Sequence, residues 1–101
     1  MKLMTKALEK KMPKLYETEK SEEKIAIVKF FNPCGAGTWY GIEYDPEERL
    51  FFGYVDLGNP DFAEYGYFSL DELESIKLPF GLKIERDLYF EPKNMKDIVN
   101  E

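Results

Sequence analysis

Short runs of β-branched and aromatic residues, separated by turn residues, fill the middle of the chain. They cover residues 24–31, 38–44, 50–56 and 64–68, and residues 84–90 read as either a last strand or an extended segment. Runs of this kind, bounded by Gly, Pro, Asn and Asp, are typical of strands. Because the connections are too short for the crossovers that parallel strands need, the pattern predicts an antiparallel meander.

Two other segments follow a helical period. Thr5 is a suitable N-cap for a short helix at 6–12, which Pro13 would end. Ser69 and Glu72 form a capping box at the start of a second helix. The apolar side chains that this second helix would turn toward the sheet are Leu70, Leu73 and Ile76.

These elements together predict an α+β fold. We expect a curved antiparallel meander sheet of four to five strands, packed by an N-terminal helix and by a helix near residues 70–76. A chain of 101 residues fits a single domain, residues 1–101. Within it, residues 1–24 read as a helical N-terminal segment and residues 93–101 as a C-terminal tail.

Three glycines stand inside predicted strands, where glycine usually marks a bulge, a bend or a close approach. Each has an aromatic residue two positions away on the same face of its strand. The glycines are Gly41, Gly53 and Gly66, and the aromatics are Trp39, Phe51 and Phe68. Such a row predicts curvature and free space above the sheet. Either packed side chains fill that space, or it forms a shallow groove for a ligand.

The loop at residues 32–37 contains Gly35 and Gly37, which resemble part of a phosphate-binding motif. A dinucleotide-binding turn leads into a helix, whereas Gly37 leads into a strand-like run. The pair therefore predicts a hairpin loop with glycines in left-handed conformations.

Charge is unevenly distributed along the chain, whose net charge is −6. Residues 40–74 hold ten carboxylates and one arginine. Nucleic-acid binding relies on a basic footprint, so we expect a basic protein surface as the partner and no direct nucleic-acid binding. The side chains predicted to form an interaction surface are Trp39, Tyr40, Glu43, Asp45, Glu47, Glu48, Asp56, Tyr65, Tyr67 and Arg86.

The candidate chemistry is narrow because the chain contains no histidine and a single cysteine, Cys34. This excludes histidine-based nucleophile systems and histidine metal sites, and we expect no cofactor. One alternative remains open. Glu43 and Asp45, with Asp56, Glu64 or Asp87, could bind a hard cation or act as an acid/base pair. Arg86 is expected to pair with a carboxylate of the sheet.

No apolar run approaches the roughly 18 residues of a membrane span. The N-terminal residues are too highly charged for a signal peptide, and a lone cysteine suits a reducing compartment. The sequence therefore predicts a cytoplasmic protein with no membrane partner.

Blocks along almost the whole chain resemble a bacterial family, domain of unknown function two-nine-five-eight. The blocks are "TWYGIEYD", "FFGYVDL", "GYFSLDELESI" and "LPFGLKIERDLYF". The resemblance implies a small protein of plasmids, phages and other mobile elements, found near DNA-modification or anti-restriction genes. It implies no agreed activity and no catalytic residues.

Three hypotheses follow. The first is a non-enzymatic protein-interaction module whose acidic surface inhibits a nucleic-acid-handling or defence system, in the manner of a DNA mimic. The second is a carboxylate-based metal-binding protein or enzyme. The third is a small-ligand sensor that uses the glycine row as its pocket.

Overall fold

A five-stranded antiparallel sheet forms the centre of the protein, in a computed structural model that describes residues 2–99. The strands of the chain are β1 (Ile25–Ala26), β2 (Val28–Phe31), β3 (Thr38–Asp45), β4 (Leu50–Asp56), β5 (Glu64–Ser69), β6 (Glu85–Arg86) and β7 (Lys93–Asn94). The order in the main sheet is β5-β4-β3-β2-β6, and the sheet is not closed. The predicted antiparallel meander is therefore confirmed, with β6 added beside β2.

The first predicted strand, residues 24–31, is split between two sheets. β1 pairs with β7, whereas β2 pairs with β3 and β6. Between them, the amide of Ile27 donates to the carbonyl of Gly41 at 2.8 Å. The register of β3 shifts just after Gly41, where Ile42 is an extra residue in the ladder to β4. Such a bulge bends its strand, and the β2 ladder ends at this point.

Within residues 2–99, three short helices accompany the sheet: α1 (Lys6–Lys11), α2 (Leu70–Ser75) and α3 (Met95–Val99). Both predicted N-caps are present. The Thr5 hydroxyl accepts from the amide of Leu8, and the Ser69 hydroxyl accepts from the amide of Glu72. Pro60–Phe62 forms a single 3₁₀ turn, and Pro79–Gly81 forms a tight turn in which Phe80 has a left-handed backbone, with φ of 62°.

Residues 93–99 pack against the rest of the protein, because β7 pairs with β1 and the side chain of Met95 is only 1% exposed. Met95 packs with Ala26 and Ile42 in a small second core. Among residues 2–24 only α1 is helical, and residues 15–20 form turns.

The larger core lies on the sheet face that α1 and α2 cover. Phe51 is its centre, and its ring contacts those of Phe30, Tyr44 and Phe68 at centroid distances of 5.4, 4.4 and 4.9 Å. The second helix contributes Leu70 and Leu73 to this core, with Ile76 packed at its margin, as predicted.

The hydroxyl of Tyr44 is buried in this core and has no hydrogen-bond partner within residues 2–99. Desolvation raises the pKa of Tyr44 above its ordinary value of 10.0, and the nearby Arg49 offsets part of this rise. We expect Tyr44→Phe to leave stability at neutral pH unchanged or to raise it by up to about 1 kcal/mol, because the substitution removes a buried polar group without a partner.

The same substitution has a pH signature. Because the pKa of Tyr44 is raised in the folded state, the unfolded protein loses the phenol proton first as the pH rises above 10.0. The free energy of unfolding is therefore unaffected by this group below pH 10.0 and falls as the pH rises further. Urea unfolding at neutral and alkaline pH should therefore show a smaller alkaline loss of stability in Tyr44→Phe than in the wild type. Equal losses would contradict the burial of this hydroxyl.

Candidate functional site

Six carboxylates cluster where the β3–β4 turn meets α2. The pairing of Leu50 with Ser69 brings the start of α2 beside the turn. Arg49 lies between the two groups, with Nε 2.6 Å from Asp71 Oδ1 and Nη2 bonded to Glu74. We call this surface the acidic end, and its carboxylates are Asp45, Glu47, Glu48, Asp71, Glu72 and Glu74.

The acidic end is negative overall. Arg49 neutralises one of its charges, and Lys14 lies beside Asp45 and Glu47 in a shallow depression. Glu47 and Glu48 are exposed at the tip of the turn. Arg49 itself has a left-handed backbone, with φ of 54°. Several like charges at one end of a small domain produce a field that attracts a basic surface.

The remaining central carboxylates lie elsewhere. Asp56 pairs with Thr38 at the far end of the sheet, and its carboxylate accepts from the amide of Gly58 at 2.9 Å. We call Asp56, Asp61 and Glu64 the distal acids. The tenth carboxylate, Glu43, is buried. The central acids are thus divided along the sheet: six lie at one end, three lie at the other, and Glu43 is buried.

Glu43 is a structural residue and does not belong to an exposed surface, since it is only 3% exposed. Its two carboxylate oxygens accept from the amides of Tyr16 and Thr18 at 2.8 and 2.9 Å. The hydroxyl of Thr18 also donates to it. Glu43 therefore ties residues 15–20 to the sheet, next to the bulge at Ile42.

Trp39 is also buried, at 9% exposure, and packs in the larger core. The nearby glycine row is aligned as predicted, because Gly41 lies opposite Gly53 and Gly53 lies opposite Gly66. At Gly41 a Cβ would come within 2.7 Å of Val28 and 3.1 Å of Phe51. Packed atoms thus fill the space at Gly41 and Gly53, whereas Gly66 faces open space.

The opposite face of the sheet is rich in aromatic rings. Tyr54 and Tyr65 meet edge to face at 5.0 Å, and Phe52 and Tyr67 do so at 5.3 Å. Tyr65 and Tyr67 are 45% and 51% exposed. We call this surface the aromatic face; its rings are Tyr40, Phe52, Tyr54, Tyr65 and Tyr67.

Tyr40 lies toward the covered side of the aromatic face. Its ring contacts Tyr54 and Phe90 at 6.5 and 6.0 Å, and Lys29 Nζ lies 5.8 Å above it. Of the three predicted tyrosines, Tyr65 and Tyr67 are therefore the ones available to a partner, because the surroundings of Tyr40 are already occupied.

Arg86 links β6 to residues near the N-terminus, and its predicted pairing with a carboxylate of the sheet stays a prediction. Its Nη1 donates to the backbone carbonyls of Lys2 and Leu3, both at 2.7 Å. This fixes the start of the chain against β6. The neighbouring Asp87 lies 4.0 Å from Lys29.

The carboxylates proposed for a metal or acid/base site do not converge. Glu43 is occupied by residues of the N-terminal turns, Asp45 accepts from the amide of Glu47, and Asp87 lies across the sheet beside Lys29. Within residues 2–99, no three His, Cys, Asp or Glu side chains are placed to hold a metal ion. Cys34 is exposed in its loop, with Sγ 3.9 Å from the carbonyl of Pro79.

Tyr16 is the residue that sequence reasoning missed. Its backbone is left-handed, with φ of 69°, and its ring is 62% exposed and lies 6.5 Å from that of Tyr67. No local motif signals this position, because its conformation depends on hydrogen bonds to Glu43, which is far away in the chain.

Comparison with known proteins identifies the family but not an activity. A family model described as protein of unknown function (DUF2958) matches residues 2–97. The chain belongs to the DUF2958 family. Neither a curated protein nor a solved structure gives a significant match. The DUF2958 match spans both the acidic end and the aromatic face.

Among residues 2–99, every helix is too short to cross a bilayer.

Proposed function

We propose that this DUF2958 protein is a non-enzymatic protein-interaction module that docks on a basic protein surface through the acidic end. The observation that carries the proposal is the meeting of the β3–β4 turn with α2, which brings six carboxylates to one end of the sheet, two of them paired with Arg49. The tip of the turn is exposed, so a partner can approach it closely.

The partner that fits best is an enzyme that handles nucleic acid, including one of a defence system. Such enzymes carry basic channels that bind phosphates, and carboxylates can occupy the same positive potential. In this form the protein acts as an inhibitor, in line with the mobile-element setting that the family resemblance implies. The acidic end is compact, so it would cover a short part of such a channel.

The alternative functions receive less support from the geometry. A carboxylate-based catalyst needs acids that face a common point, and Glu43, Asp45 and Asp87 are separated by other side chains. A sensor that uses the glycine row needs space there, and Val28, Phe51 and Phe68 occupy most of it.

A matched pair of charge-reversal variants tests the docking proposal. One variant carries Glu47→Lys and Glu48→Lys at the acidic end, and the control carries Asp61→Lys and Glu64→Lys among the distal acids. Both change the net charge by the same amount, and all four side chains are exposed. The wild-type protein is first used to capture partners from host cells in low salt, and the captured partner is then titrated with each variant.

We expect the acidic-end variant to weaken binding by at least about tenfold and the control to change it much less, because interfacial charge pairs depend on position. Binding of the wild type should also weaken as salt rises. Arg49→Ala, which removes the positive charge from the acidic end, should tighten binding. Equal effects of the two double variants would refute the proposed surface.

A further inference from the structure

A small pocket opens on the aromatic face where the N-terminal turns cross it. Its volume is about 250 Å³, and its lining consists of Tyr16, Glu19, Lys24, Glu43, Phe52 and Tyr67. Pockets for whole small molecules usually measure about 300–1,000 Å³. This one is therefore sized for a single chemical group.

Three aromatic rings form its walls. The rings of Tyr16 and Tyr67 both line the pocket and are inclined at 56°, with centroids 6.5 Å apart. Phe52 meets Tyr67 edge to face at 5.3 Å. The faces of aromatic rings carry negative potential and attract cations, and several rings around one space form an aromatic cage.

The walls are held in place before any ligand arrives. The hydrogen bond from the amide of Tyr16 to Glu43 holds Tyr16 in its left-handed conformation. The rings of Tyr16 and Tyr67 contact each other, and hydrogen bonding with the Tyr16 phenol raises the pKa of Tyr67. Strained residues that the surrounding structure holds in place are common at binding sites. The strained residue Tyr16 carries an exposed ring that does not belong to the core.

The charges that line the pocket favour a cation. Glu43 and Glu19 supply two negative charges, and Lys24 supplies one positive charge. The ammonium of Lys24 donates to the carbonyl of Thr18, which holds it beside the N-terminal turns. One negative charge therefore remains in excess beside the rings.

The kind of cation follows from the hydrogen bonding of Glu43. Its carboxylate already accepts from the amides of Tyr16 and Thr18 and from the Thr18 hydroxyl. A primary ammonium must replace three hydrogen bonds lost from water; Glu43 can accept about one of them, so the rest would depend on Glu19. A methylated ammonium keeps its charge and has few or no donors, so aromatic faces and a nearby carboxylate satisfy it.

We propose that this pocket binds a methylated or quaternary ammonium group. The group could belong to a free small molecule or to a trimethylated lysine side chain on a peptide. The proposal is independent of the docking function, because the pocket and the acidic end have no residue in common.

The probes for a titration are choline, its neutral carbon isostere 3,3-dimethylbutanol, and short peptides that carry lysine or trimethyllysine. Chemical shifts of the tyrosine ring protons report binding. We expect choline or the trimethyllysine peptide to bind at least about tenfold more tightly than its uncharged or unmethylated counterpart. Preference for choline identifies a small-molecule ligand, and preference for the peptide identifies a modified protein. The proposal is overturned if neither choline nor the trimethyllysine peptide binds, or if each binds no more tightly than its uncharged or unmethylated counterpart.

Variants locate the binding in this pocket. Tyr67→Ala should weaken it at least about tenfold, whereas Tyr89→Ala, which alters a 94% exposed ring outside the pocket, should not. Lys24→Gln leaves the aromatic walls in place and removes the competing positive charge, so it should tighten binding. Weaker binding of the cation by Lys24→Gln, or unchanged binding by Tyr67→Ala, would overturn the proposal.

Discussion

Gly53→Ala is expected to destabilise the protein by about 3 kcal/mol or more, because the new methyl group would be forced into a packed sheet. A Cβ at this position would overlap the backbone carbonyl oxygen of Tyr40 on the neighbouring strand and would lie 3.1 Å from the ring of Phe68. A backbone atom cannot move aside without breaking the ladder between β3 and β4. Urea unfolding followed by the fluorescence of the only tryptophan, Trp39, measures the loss.

Gly66→Ala is the matched control for this prediction. Gly66 lies directly opposite Gly53 in the same row, yet a Cβ there would meet no atom within 4 Å. Its backbone is not left-handed, so alanine can adopt the conformation. We expect a change of no more than about 1 kcal/mol. Similar losses for the two variants would show that strand propensity, rather than the contact with Tyr40, limits these positions.

Glu43→Ala is expected to cost about 3 kcal/mol, because it leaves buried backbone donors without a partner. The amides of Tyr16 and Thr18 both donate to this carboxylate, and their turn connects α1 to the sheet. Residues 15–20 should therefore become much more accessible to protease in the variant. Thermal unfolding and limited proteolysis measure the two effects.

Two variants control for the loss of charge at position 43. Glu43→Gln keeps one acceptor oxygen and should cost less than Glu43→Ala, about 1–2 kcal/mol. Glu48→Ala removes an exposed carboxylate and should change stability by less than about 0.5 kcal/mol. If Glu43→Ala unfolded at the same urea concentration as the wild type, Glu43 would have no role in fixing the N-terminal turns.

Glu43 also illustrates where sequence reasoning stopped. In the sequence it stands among exposed-looking acids, two positions before Asp45, and alternation alone would place both on one face. The two residues do point to the same side of β3, but the N-terminal turns cover only Glu43. Whether a strand position is buried depends on what crosses it, and periodicity carries no information about a segment more than twenty residues away.

The glycine row shows the opposite case. Spacing within each strand predicted that Gly41, Gly53 and Gly66 would align, and the register confirms it. The same spacing could not tell whether the row would be a groove. That depended on the rings of Phe51 and Phe68, which stack on each other and lie where a Cβ on Gly41 or Gly53 would be.

The amino-acid pattern alone was enough for the strands of the meander, the caps at Thr5 and Ser69, and the turns between them, because these features depend on residues close together in the chain. The position of Tyr16, the division of the acids between two ends and the attachment of residues 93–99 required the folded chain. Each of these features arises from contacts between distant segments, and a side chain acquires its exposure and its charge environment only when those segments meet.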